Sequence, residues 1–143
     1  MNFLLCPFSD TKLTQTLDFY LGTQPHALYW VPARNLVEAR YLTAILNSPA
    51  TTEAVSEYQS RGLFGARHFD TYVWRLPIPL FDEENPEHVE LADLAAEAET
   101  VATSTDVTGL GFQPARKKVR AALDVAGLTE KLAATVSALF KRG

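Results

Sequence analysis

Residues 38–49 read Glu-Ala-Arg-Tyr-Leu-Thr-Ala-Ile-Leu-Asn-Ser-Pro, and residues 61–79 read Arg-Gly-Leu-Phe-Gly-Ala-Arg-His-Phe-Asp-Thr-Tyr-Val-Trp-Arg-Leu-Pro-Ile-Pro. Asn35 followed by Glu38 forms a capping-box pattern, with Asn in place of the usual Ser or Thr. From there Val37, Tyr41, Ala44, Ile45 and Ser48 fall on one helical face, so a helix is expected to lie on a sheet. Ser48 and Pro49 open a second helix, with Gly62 as its terminator. The chain bends between them because a residue before proline disfavours helical dihedrals. Further on, Tyr72, Trp74, Leu76 and Ile78 alternate with Val73, Arg75, Pro77 and Pro79, the period of a strand. Pro77 and Pro79 donate nothing to a ladder, which makes the strand's end an edge or an exit.

Outward from this stretch, residues 2–8 and 27–32 are short β-branched or aromatic runs and read as strands. Residues 13–21 fit helix or strand. Asn85-Pro86 opens an acidic helix striped by Leu91, Leu94, Ala95, Ala98 and Val101. A loop rich in Thr, Ser and Gly spans 103–111. Pro114 then starts a basic helix with Val119, Ala122 and Leu123 inward, stopped near Gly127. A last helix runs from Thr129 with Leu132, Val136, Leu139 and Phe140 as its stripe. The expected fold class is α+β: a small mixed sheet with packed helices and a helical C-terminal part. It forms a single domain, 1–143, with an α/β core over 1–80 and a helical extension over 81–143.

A chain of 143 residues, 47% hydrophobic and 21% charged, has the size and composition of one globular domain. One cysteine, Cys6, permits no internal disulfide and fits a reducing compartment. The first residues lack the basic start and long apolar core of a signal peptide, and no apolar run is long enough to span a bilayer. The expected location is cytoplasmic, away from membranes.

The net charge of −4 argues against a polyanionic partner, but the charge is unevenly placed. Asp82, Glu83, Glu84, Glu87, Glu90, Asp93, Glu97 and Glu99 crowd into 82–99 with no Lys or Arg among them. Without those eight, thirteen bases outnumber nine acids. Such asymmetry permits a basic face toward phosphate and an acidic one away from it.

The order of capped helix, glycine-punctuated basic loop and proline-ended strand resembles the C-terminal target-recognition region of N6-adenine DNA methyltransferases of bacterial restriction–modification systems. The resemblance runs from about Ala27 to the C-terminus. It implies a DNA-reading part of a methyltransferase or of a combined restriction–methylation enzyme. Its implied partners are double-stranded DNA and a methyltransferase catalytic domain or subunit, where S-adenosylmethionine would be held. The chain itself would need no cofactor.

Catalytic signatures are missing from the sequence. The family's Asn/Asp-Pro-Pro-aromatic tetrapeptide has its nearest match in Asn47-Ser48-Pro49-Ala50, which lacks the aromatic and reads as a helix stop and restart. Gly109-Leu110-Gly111 is an isolated G-x-G with no strand before it. His26, His68 and His88 lie far apart without cysteines nearby, so no metal site is expected. Ser9, Asp10, His68 and Asp70 lack a nucleophile-elbow context. No residue is assigned a catalytic role.

For nucleic-acid contact the first candidates are Arg61, Gly62, Gly65, Arg67 and His68, followed by Arg75. Glycine lets backbone approach a ligand, and arginine offers two parallel donors to phosphate or guanine. The same arginines could instead cap helix carbonyls or pair with Asp70 and Glu57. The second candidates are Arg116, Lys117, Lys118 and Arg120, where a helix projecting cations can follow a phosphate backbone. The plain alternative there is a solvated surface. A different function also fits: a protein-interaction domain whose late helices dock on a methylase or nuclease subunit near Leu139 and Phe140.

Overall fold

The computed structural model describes residues 33–56, 61–62, 65–66 and 75–142. Five helices are described: α1 (Leu36–Asn47), α2 (Pro49–Ser56), α3 (Pro86–Ser104), α4 (Phe112–Val125) and α5 (Leu128–Phe140). The only strands among the described residues are β1 (Arg61–Gly62) and β2 (Gly65–Ala66), two residues each, paired antiparallel with Arg61 opposite Ala66 and Gly62 opposite Gly65. This overturns the expected α+β fold with its small mixed sheet: what is described is a helical assembly. The strands expected over 2–8 and 27–32 lie outside the described residues.

Two sequence signals led to the sheet, and each has a physical correction. The apolar face of α1 is buried as its period demands, with Tyr41 and Ile45 fully enclosed, but α3 covers it and not a sheet. Val37, expected on that face, stays exposed. The described end of the alternating run, Arg75–Pro79, forms no ladder. Pro77 and Pro79 have no N–H, and the Ile78 N–H donates back to Leu76 O at 2.8 Å in a local turn.

Helix ends follow local chemistry closely. Asn35 Oδ1 accepts from the Glu38 N–H at 2.9 Å, and Arg34 closes the same turn by ion-pairing with Glu38. Between α1 and α2, Ser48 is extended (φ −66°, ψ 141°), the conformation that Pro49 imposes on its predecessor. Ser48 is 1% exposed and Thr51 fully buried, yet both are satisfied. The Ser48 hydroxyl accepts from the Ala50 N–H, and the Thr51 hydroxyl donates to Ile45 O, a carbonyl at the end of α1 that also accepts the Ser48 N–H. Asn85 Oδ1 accepts from the Glu87 N–H, with Pro86 first in α3. Helix α4 starts at Phe112, two residues before the expected Pro114, because a proline in the first turn forfeits no intrahelical bond. Gly127, at φ 71°, ends α4 and starts α5 in one residue.

The core joins Tyr41, Ala44 and Ile45 of α1, Leu91, Ala92 and Ala95 of α3, Val136 and Leu139 of α5, and Phe81. It draws on described residues from both sides of residue 80. Leu139 is buried and Phe140 packs partly against the same core, which removes that pair as an exposed docking point. Among the described residues no helix is long and apolar enough to cross a membrane.

The segment before α3 is strapped down by four bonds, one of them from Asn35 Nδ2 to Glu83 Oε1 at 2.9 Å. Tyr41 Oη donates to Pro79 O at 3.0 Å, Arg34 Nη2 to Phe81 O at 2.9 Å, and the Asp82 N–H to His88 Nδ1 at 3.0 Å. The rings of Phe81 and His88 lie 5.3 and 4.8 Å from that of Tyr41. Burial pushes the Tyr41 phenol up to about 12. Its folded pKa thus exceeds the unfolded value of about 10, so stability complete below pH 10 drains away as pH rises toward 12. We expect a loss of about 2–3 kcal/mol over that window. Tyr41→Phe should cost about 1 kcal/mol at neutral pH and flatten the alkaline decline relative to the parent chain, measured by urea unfolding at each pH.

Candidate nucleic-acid interface

Helix α4 carries four cations, Arg116, Lys117, Lys118 and Arg120, and has no buried residue. Its expected inward positions Val119, Ala122 and Leu123 are only half-buried. The helix is held along its edges by α3, α5 and the preceding loop. That loop turns at Gly109 (φ 72°), where the Leu110 N–H donates to Val107 O at 3.1 Å. Lys118 Nζ donates to Asp106 O at 2.7 Å, which pins the helix to the loop. The Asp106 carboxyl accepts the Thr108 N–H at 2.9 Å, and this bond, with help from the Thr108 hydroxyl, holds it below its ordinary pKa. Lys118 is therefore an anchor as well as a surface charge.

The other three cations share one concave surface. Gln113, Arg116, Lys117, Arg120, Ala121 and Asp124 line a depression of about 290 Å³. Their positions follow the three- and four-residue steps of one helix face. The salt bridges among the described residues use Arg34, Arg40 and Arg142, the last with Glu87, and leave Arg116, Lys117 and Arg120 without a carboxylate partner. Glu90, Asp93 and Glu97 line a separate groove between α3 and α5. Those acids are directed elsewhere, whereas Glu99, paired with Arg40 at 2.9 Å, lines a groove that Arg116 and Arg120 also border.

No protein-family model, curated protein or solved structure matches this chain. The site stands on its own geometry.

The loop candidates fare differently. Gly62 and Gly65 face each other across the β1–β2 pairing, and Arg61 sits opposite Ala66. Arg67 and His68 lie outside the described residues. Arg75 is exposed at the start of the strapped segment. The structure therefore groups Arg116, Lys117 and Arg120, while the meeting of the loop arginines remains an expectation from sequence.

Sequence reasoning missed Gln113, Ala121 and Asp124 as members of this face, although the spacing from 113 to 124 carried the signal. It also missed a groove of about 1070 Å³ behind α4, between that helix, α1–α2, α3 and α5. Leu46, Ala95, Ala98, Val119, Leu123 and Leu132 supply its apolar lining, and Arg116, Arg120, Asp124, Glu53 and Glu99 line it as well. His88, read from sequence only as lacking metal-ligand neighbours, is 4% exposed and serves as an acceptor in the core.

Proposed function

We propose that this chain is a non-catalytic DNA target-recognition module of the N6-adenine methyltransferase type. It would act beside a catalytic domain or subunit that holds S-adenosylmethionine. The observation that supports it best is the group of three exposed or half-exposed cations on α4, in no salt bridge among the described residues and on a helix with no fully buried residue. A helix in the interior needs its faces for packing, and one that leaves a cationic face open can meet phosphates at little desolvation cost. The resemblance over Glu38–Pro79 supplies the choice of DNA among polyanions. The alternative, a docking domain for a methylase or nuclease subunit, is favoured by the apolar groove behind α4.

Titration of the chain with a fluorescein-labelled duplex separates the two. Three phosphate contacts give a log–log salt slope of roughly −3, so affinity should fall by roughly 40-fold between 50 and 200 mM salt. Absence of salt-sensitive binding at low ionic strength overturns the DNA reading and leaves the docking one.

A further inference from the structure

Resting on that DNA reading, we infer that α4 enters the major groove and reads base edges through Gln113, Arg116, Lys117 and Arg120, beyond merely following phosphates. The composition of the face points there. A surface that only tracks a backbone gains from cations alone, and a carboxylate among them is repelled. Asp124 nevertheless lies among the cations of the same depression. Against base edges its role reverses, because a carboxylate accepts from the cytosine amino group. Glutamine pairs with adenine's N6 and N7, and arginine with guanine's O6 and N7. The face therefore holds acceptors and donors suited to three different bases.

Shape agrees. A helix with its side chains is about 10–12 Å across, and the major groove is about 12 Å wide. Entry requires that the outward face be free of neighbouring elements, which α4 provides with no buried residue anywhere along it. Ala121, exposed at the middle of the face, is small enough to let the axis approach the base pairs. From residue 113 to 124 the helix rises about 16 Å, which spans about five base pairs at 3.4 Å each. Lys118, tied to Asp106 O, keeps the helix from rolling as it engages.

The test is selection of binding sites from a random duplex pool by the full chain, followed by anisotropy on the selected and a scrambled duplex. The parent should enrich a site of about five base pairs. Gln113→Ala should weaken the selected duplex by roughly 5- to 100-fold, leaving the scrambled affinity and the salt slope unchanged. The variant's melting curve should match the parent's, since Gln113 is exposed. A Gln113→Ala variant with undiminished discrimination overturns base reading by α4 while sparing target recognition, whereas salt-sensitive binding without an enriched sequence overturns base reading and target recognition together. No binding to either duplex overturns both.

Discussion

Leu91→Ala should lower the unfolding free energy by about 3–4 kcal/mol, read from urea denaturation at neutral pH. Leu91 is completely enclosed on α3, in the cluster formed with Tyr41 and Ile45 of α1 and Val136 of α5. Truncation there removes the transfer free energy of the lost carbons and leaves a cavity that three helices cannot close without shifting together. Globular domains have about 5–15 kcal/mol in total, so the variant would sit near its threshold, with a midpoint lowered by about 10 °C. Leu123→Ala on α4 is the internal comparison. Leu123 is half-buried and borders an open groove, so its loss should cost under about 1 kcal/mol. Equal costs at the two positions would mean that α4 is as tightly packed as α3, contrary to the arrangement described.

The helix boundaries were legible because their determinants are local. Asn35, Pro49, Asn85-Pro86 and Gly127 each act on the backbone within a few residues, and each sits at or beside a helix end. What covers a helix was not legible. The stripe through Tyr41, Ala44 and Ile45 announces burial without naming its partner, and α3, some fifty residues later, is invisible to periodicity. Alternation misled at the end of the 72–79 run because period two describes side chains alone, while a strand also needs N–H donors that Pro77 and Pro79 lack. His88 shows the same limit from the other side. It sits within an acidic run, and Tyr41 of α1 together with the return of Phe81 and Asp82 over α3 encloses it. The cationic part of the candidate interface could be read from spacing, since Arg116 and Arg120 are one helical turn apart. Its concavity required knowing which side of α4 the other helices leave open.

That open side makes the paired charge reversal Arg116→Glu with Arg120→Glu the sharpest functional experiment. Duplex affinity should fall by roughly 100-fold at 100 mM salt, and the log–log salt slope should shrink by about two. Each guanidinium lost removes a phosphate or base-edge contact, and each carboxylate gained adds repulsion in the same place. Stability should change little, because neither arginine has a carboxylate partner among the described residues and α4 has no fully buried residue. A new glutamate at 116 also lies three residues from Gln113 and near the start of the helix, where the macrodipole favours an acid. Loss of affinity with an unchanged melting curve therefore assigns the effect to contact and not to unfolding. The docking alternative predicts a different pattern: DNA affinity, if any, unmoved by the reversal, and partner binding reduced by polar substitutions at Leu123 and Leu132 in the apolar groove. Because Arg116 and Arg120 border both surfaces, the two sets of variants must be measured against both ligands, and only a crossed result distinguishes a helix that reads DNA from one that walls a protein-binding groove.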